Sequence, residues 1–112
     1  MKMLTIIIRP EKLSSVTAAL HAIGIKGMTI SDVRGQGIQK GVSTVYRGVE
    51  YHTDFIIKNK IEIVISDELY EETLAAVKEA ARTGSVGDGK IFVTDIADAI
   101  RIRTGEHGRA AL

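Results

Sequence analysis

Lys60-Ile61-Glu62-Ile63-Val64-Ile65-Ser66-Asp67-Glu68-Leu69-Tyr70-Glu71-Glu72-Thr73 is the stretch on which the fold turns. Ile61, Ile63 and Ile65 alternate with Lys60, Glu62 and Val64, the period-2 pattern of a strand with one buried face. Ser66-Asp67 then offers an N-cap, and Glu68, Glu71 and Glu72 fall near the positive end of a helix. Leu69, Thr73, Val77 and Ala80 recur at helical spacing as its inward stripe, and Arg82 and Gly84 end it. Lys90-Ile91-Phe92-Val93 reads as the strand that follows.

Upstream, the same order appears. Leu4, Ile6 and Ile8 form a buried strand stopped by Arg9-Pro10; Leu13, Val16, Leu20 and Ile23 then mark a helix, with Pro10 in its first turn and Gly24 at its C-cap. Met28, Ile30 and Val33 place a strand within 27–33. Asp95 to Ile100 is expected to make one short helical turn, and Arg101 to Thr104 a short extended tail. The order strand, helix, strand, strand, helix, strand predicts a ferredoxin-like βαββαβ fold of the α+β class. Its antiparallel sheet would carry two helices on one face.

The chain has 112 residues, which fits a single domain over 1–112. Lys+Arg 15 against Asp+Glu 14 leaves a net charge of +1, without the basic excess that non-specific nucleic-acid or membrane-surface binding needs. With Cys at 0 there is no disulfide framework, thiolate metal site or thiol nucleophile. Arg9 and Pro10 cut the first apolar run short, so neither a signal-peptide core nor a membrane span is expected, and the default compartment is the cytoplasm. Gly is 11 and aromatics are few (Tyr 3, Phe 2, Trp 0), so the core must be aliphatic and the glycines need a reason.

Several segments can carry chemistry. Thr83-Gly84-Ser85-Val86-Gly87-Asp88-Gly89-Lys90 leaves a helix and enters a strand. It is either an anion cradle of backbone N–H groups with Lys90 adding charge, or simply a tight glycine-rich turn. The spacing is not that of a Walker A loop. Arg101 and Arg103 on one side of an extended segment suit phosphate, or a solvated edge. Arg9, Lys58 and Lys60 are further anion candidates or ordinary strand-end charges. The stretch from Val33 to Lys58, with Gly35, Gly37, Gly41 and Gly48, is either a long hairpin or a functional loop, being longer than the ~12–15 residues of ordinary connections. His21, His52 and His107 stand at no ligand spacing and define no nucleophile–base set.

Read together, Arg9-Pro10 with Lys12-Leu13, Gly24-Ile25 with Gly27-Met28-Thr29, Gln39-Lys40-Gly41, Tyr46 to Tyr51, Lys60-Ile61-Glu62, the Thr83 to Val93 segment and Ile100-Arg101-Ile102-Arg103-Thr104-Gly105-Glu106 are specific. In these motifs the chain resembles the nitrogen regulatory P-II signal-transduction proteins (GlnB/GlnK-type) over its full length. The resemblance implies a cytoplasmic, non-enzymatic homotrimer that regulates nitrogen and carbon metabolism. It implies ATP and ADP competing in clefts between subunits, 2-oxoglutarate bound beside Mg2+-ATP, and a T-loop (about 37–55) that changes shape and docks on partners. A B-loop (about 82–90) and a C-terminal loop (about 101–112) complete the set.

Carried over residue by residue, the implied nucleotide site is Ile7, Thr29, Gly37, Ile38, Glu62, Val64, Gly87, Asp88, Gly89, Lys90, Arg101 and Arg103. The implied 2-oxoglutarate site is Arg9, Gly37, Gln39, Gly41 and Lys58, with the Gln39 amide oxygen as the Mg2+ ligand. Tyr46, Arg47 and Tyr51 would meet the partner, and Tyr51 is the expected modification site. An ammonium channel, a nitrogen-control adenylyltransferase or histidine kinase, or a biosynthetic enzyme is the implied partner; nucleic acid and direct membrane insertion are not.

The chain departs from the family pattern at Gln36 and Ile38, where Phe and Arg are usual, so a guanidinium able to reach phosphate is missing. Val42 to Val45 replace a more polar tip, Val49 a small residue, and Ile56-Ile57 the usual Leu-Pro. The competing reading is an acylphosphatase-type hydrolase of similar fold, which needs a phosphate-cradling loop after the first strand; Pro10 removes an N–H donor there. Slow ATP turnover is compatible with the regulatory reading. An RNA-binding sheet would need stacking aromatics, and only Phe92 is offered.

Overall fold

A computed structural model describes residues 1–36, 43–46, 49–52 and 55–112, the two short middle segments as backbone alone. β1 (Lys2–Ile8) leads through a 3-10 turn, Pro10–Lys12, into α1 (Leu13–Ala22). β2 (Thr29–Gly35), β3 (Ser43–Tyr46), β4 (Val49–His52) and β5 (Ile56–Ile65) follow. A second 3-10 turn, Asp67–Leu69, opens α2 (Tyr70–Ala81), and β6 (Gly89–Asp95) closes the main sheet before a terminal 3-10 turn at Gly108–Ala111.

The sheet is antiparallel, in the order β2-β5-β1-β6. That is the ferredoxin-like arrangement the element order predicts. Its period-2 faces explain the packing. Leu4, Ile6 and Ile8 on β1 and Ile61, Ile63 and Ile65 on β5 are buried against Val16 and Leu20 of α1 and Val77 of α2. Thr5 and Ile7 on β1, Lys60, Glu62 and Val64 on β5, and Lys90 and Phe92 on β6 share the opposite face by register. Both helices thus cover one face and leave the other open.

Several boundaries move. β2 starts at Thr29 rather than Gly27. β5 reaches back to Ile56 by pairing Ile56 and Ile57 with Gly35 and Arg34 of β2, and Asn59, though polar and buried, donates from Nδ2 to Asp32 Oδ1 at 2.7 Å across the same pair. Ala81 rather than Ala80 is the buried end of the α2 stripe, and the buried Thr73 hydroxyl donates to the Leu69 carbonyl at 2.6 Å. Ser66 caps only through its backbone, its carbonyl accepting from Leu69 N–H at 3.1 Å.

The C-terminal segment corrects two expectations. No helical turn forms over Asp95–Ile100: Ile96 N–H donates instead to Met1 O at 3.1 Å, which holds the chain along β1. Arg101–Thr104 is not extended but a turn, because Gly105 adopts φ +73 and closes it with its N–H on Arg101 O at 2.8 Å. Ile100 and His107 then pair as an isolated bridge. Within the Val33–Lys58 stretch, β3 and β4 pair antiparallel. Among the described residues no helix is long and apolar enough to cross a membrane.

Candidate functional site

The segment Thr83–Lys90 joins the end of α2 to β6, and its shape is set by one carboxylate. Asp88 Oδ2 accepts from the N–H groups of Thr83 at 2.8 Å and Gly84 at 2.9 Å. Asp88 Oδ1 accepts from the Thr83 hydroxyl and from Arg9 Nε at 3.1 Å. The Thr83 hydroxyl, the Thr83 and Gly84 N–H groups and then Arg9 hold the Asp88 carboxyl well below the usual carboxylate range.

Two cations from the sheet end tie the loop from outside. Arg9, just past β1, also donates to the Val86 carbonyl at 2.7 Å, and Lys58 Nζ donates to the Gly87 carbonyl at 2.5 Å. Burial, and then the Arg9 charge, lower the Lys58 ammonium below the ordinary lysine value. Gly87 and Gly89 take φ +100 and +110. At Gly89 glycine is obligatory: a Cβ would stand 1.7 Å from Ile7 O, because the loop enters β6 directly beside β1.

A cleft of 520 Å³ lies between this loop and the start of the Val33–Lys58 stretch, within the ~300–1,000 Å³ of small-molecule sites. Ile7, Lys58, Gly87, Asp88, Gly89 and Lys90 all line it. An apolar floor (Ile7, Phe92) under positively charged side chains and positive-φ glycines suits a ligand with a flat body and an anionic tail. Gln36, Ser85, Val86 and Phe92 also line it; Ser85 and Val86 belong to the segment read as an anion cradle or tight turn, Gln36 stands at a departure from the family pattern, and Phe92 is not among the expected site residues. Phe92 was within reach of pattern reading, because it shares the Lys90 face at a spacing of two.

Of the other expected nucleotide residues, Thr29, Glu62, Val64, Arg101 and Arg103 are not among those lining this cleft. Glu62 and Val64 are on the open sheet face, level with Thr5 and Met3, with Thr29 opposite Glu62; Lys60 Nζ stands 3.5 Å from Glu62 Oε1. Arg101 and Arg103 follow the end of β6, past Ile96 and its bond to Met1. The pairs Ile8–Gly89 and Lys2–Asp95 mark the two ends of β1–β6, about 20 Å apart at ~3.3 Å per residue. Lys90 lies at the Gly89 end of β6, and Arg101 comes in the chain after its Asp95 end. Arg101 is occupied locally, donating to Glu106 Oε1 at 3.3 Å and to Leu112 O at 3.2 Å. Gly37, Ile38, Gln39, Gly41 and Arg47 lie outside the described residues, and Tyr46 and Tyr51 are described only as backbone of β3 and β4. Among the described residues no group of three or more His, Asp or Glu is placed to hold a metal ion.

An antiparallel sheet of order β2-β5-β1-β6 under two helices, with a glycine loop tied by cations at one end, defines a ferredoxin-like α+β protein whose cleft suits a small anion. A family model described as "Nitrogen regulatory protein P-II" matches residues 1–106, and the chain belongs to that family. Nitrogen regulatory protein P-II 1 of Methanothermobacter thermautotrophicus is 55% identical over 112 residues, covering 100% of this chain and 97% of its own. Nitrogen regulatory protein GlnK of Escherichia coli is 50% identical over 112 residues, covering 100% of both chains. Among solved structures, Arabidopsis thaliana PII bound to citrate superposes with a TM-score of 0.81 at 41% identity, covering 99% of this chain and 91% of that one. These relatives are named as regulators rather than enzymes, and the chain is a regulatory signal-transduction protein of the same kind.

Proposed function

We propose that the chain works in the cytoplasm as a homotrimeric sensor. ATP and ADP compete in its intersubunit clefts, 2-oxoglutarate binds with Mg2+-ATP, and the 37–55 segment reports the bound state to a partner protein. The observation that carries this reading is the division of the expected nucleotide residues between those that line the cleft and those that do not. Ile7, Gly87, Gly89 and Lys90 stand at the Gly89 end of β6 and line the cleft, and Arg101 and Arg103 follow its Asp95 end and do not line it. Only the first set lines the cleft, so the second must reach the ligand from elsewhere. A head-to-tail neighbour can supply it, and a heterologous contact of that kind closes into a ring.

The two half-sites divide the chemistry sensibly. Lys90 and the loop backbone suit a phosphate chain, while Arg101 and Arg103 grip phosphate oxygens from the neighbour's side. Ile7 offers an apolar surface, and Glu62 can accept from an adenine amino group. Lys58, on the same cleft, suits a ligand carboxylate; citrate in the Arabidopsis relative is a carboxylate ligand of that protein. Mg2+ would be held by phosphates, the keto acid and the Gln39 amide. Tyr46, Arg47 and Tyr51 would contact an ammonium channel, an adenylyltransferase or kinase of nitrogen control, or a biosynthetic enzyme, with Tyr51 open to modification.

Subunit mixing tests this. Lys90→Ala and Arg103→Ala trimers should each bind Mg2+-ATP poorly by calorimetry. After exchange of subunits, about a quarter of the clefts should pair an intact Lys90 with an intact Arg103 and recover binding. Sedimentation should report a trimer, and 2-oxoglutarate should tighten Mg2+-ATP by the factor with which ATP tightens 2-oxoglutarate. Full-affinity binding to a monomer, or mixed trimers that recover nothing, would overturn the reading.

A further inference from the structure

We infer that Asp88 is a positioning residue: clamped by Arg9 and Thr83, its side chain presets the Gly-rich loop for its ligand and does not itself touch nucleotide. The inference rests on the nucleotide reading of the cleft, and it moves Asp88 and Arg9 from ligand contacts to parts of the loop's frame.

The chemistry of the carboxylate carries it. An ionised carboxylate only accepts hydrogen bonds, at roughly four lone-pair positions. In this structure four donors fill them: Thr83 N–H, Gly84 N–H, the Thr83 hydroxyl and Arg9 Nε. The Asp88 carboxylate has no hydrogen to give a phosphate oxygen and no lone pair left for a ribose hydroxyl, which leaves ligand contact to the loop backbone. As an anion in a cleft for anions it would repel its ligand, were its charge not answered by Arg9 at 3.1 Å. Arg9 in turn spends a second guanidinium nitrogen on the Val86 carbonyl. The Arg9 side chain is only 13% exposed, so the pair sits between the end of β1 and the loop rather than in solvent.

The consequence for binding is preorganisation. Gly87 and Gly89 hold strained-for-others φ values that an unbraced glycine loop would sample only part of the time. Asp88 lies between them, and its bonds back to Thr83 and Gly84 close the loop before any ligand arrives. A ligand then avoids the cost of ordering those residues.

The test uses the full chain as Asp88→Asn, Thr83→Ser and Thr83→Val. Amide hydrogen exchange is read at Thr83 and Gly84 without ligand, and Mg2+-ATP affinity by calorimetry. Asparagine fills the same volume but replaces one acceptor oxygen with a donor nitrogen. Asp88→Asn should speed exchange at both amides by about tenfold, weaken Mg2+-ATP by a similar factor and lower Tm. Thr83→Ser, which keeps the hydroxyl, should stay within about threefold of wild type, while Thr83→Val should follow Asp88→Asn. If Asp88→Asn leaves ligand-free exchange unchanged and still weakens ATP, Asp88 is a direct contact and the inference fails. If Asp88→Asn tightens ATP, the carboxylate is only a repulsive charge and the inference fails again. Should wild type not bind ATP at all, the nucleotide reading falls, and the exchange measurement still decides whether Asp88 braces the loop.

Discussion

The Thr83–Lys90 loop and the C-terminal turn from Asp98 to Leu112 are built on the same device and anchored differently. Each is organised by one aspartate that accepts from two backbone N–H groups and one cation-capable side chain, with the Thr83 hydroxyl as a fourth donor at Asp88. Asp88 takes Thr83, Gly84 and Arg9; Asp98 takes Ala99 at 2.8 Å, Gly108 at 3.1 Å and His107 Nδ1 at 2.9 Å. Arg9, however, arrives from the end of β1, and Lys58 from β5 adds a further tie, so the first loop is held by the sheet. His107 lies within its own turn, and the outside tie there runs from Arg109 to Glu68 at 3.0 Å between two exposed side chains. The comparison teaches that two cation-bearing segments expected to meet one ligand differ in stiffness. One is a loop tied to two strands of the sheet, and the other is a locally closed arm whose Arg101 already holds Glu106.

The sharpest way to break that contrast is to add a methyl group to a glycine on each side. Gly89→Ala places a Cβ against Ile7 O at 1.7 Å with φ at +110, and neither backbone can retreat without opening the β1–β6 pair. We expect a loss on the order of 3 kcal/mol in urea denaturation and loss of nucleotide binding. Gly105→Ala, at φ +73 with nothing within 4 Å of its Cβ, should cost only the left-handed penalty of about 1 kcal/mol. Equal costs at the two positions would remove the distinction between anchored loop and free turn.

That asymmetry also marks what sequence reading could and could not reach. The alternating isoleucines of β1 and β5 and the stripes of α1 and α2 were legible because burial on one face imposes a period. Ile7, Lys58 and the Gly87–Lys90 run were assigned to two implied sites only through resemblance to a family, and in the structure they line one cleft. The extension of β5 back from Lys58 to Ile56 was not legible, since Ile56 and Ile57 end a weakly periodic stretch and join the sheet by pairing with Gly35 and Arg34 of β2. Neither was the frame around Asp88, because its partner Arg9 is 79 residues away and looks alone like a strand-end charge. Asp95–Ile100 suits a helical turn by composition, yet a backbone bond to Met1 O, which local propensity does not contain, overrules it.

A smaller effect follows from the state of Arg101. Its guanidinium must leave Glu106, or share it, to meet a neighbour's phosphate. Glu106→Gln removes the competing charge of an exposed pair, so Mg2+-ATP affinity should rise about two- to fivefold in calorimetry at low salt, with the gain shrinking as salt is added. Weakened binding would mean instead that Glu106 orders the arm for its ligand, and the C-terminal turn would then count as preorganised like the Gly-rich loop.

The subtlest contrast is in acid. Both aspartates have folded-state pKa values below the ordinary 3.8, Asp88 chiefly through the Thr83 hydroxyl and N–H, Asp98 chiefly through His107 and then Ala99 N–H. A depressed carboxylate contributes stability that is fully present above its unfolded pKa and is lost as pH falls through its folded pKa. Asp88 is displaced much further, so the two turns should open in sequence as pH drops below about 4, the C-terminal one first. Amide chemical shifts report this directly: the Gly108 N–H, bonded to Asp98, should move at a higher pH than the Gly84 N–H, bonded to Asp88. Simultaneous movement would show one cooperative acid transition, and the stiffness assigned to the Arg9 anchor would then belong to the domain as a whole.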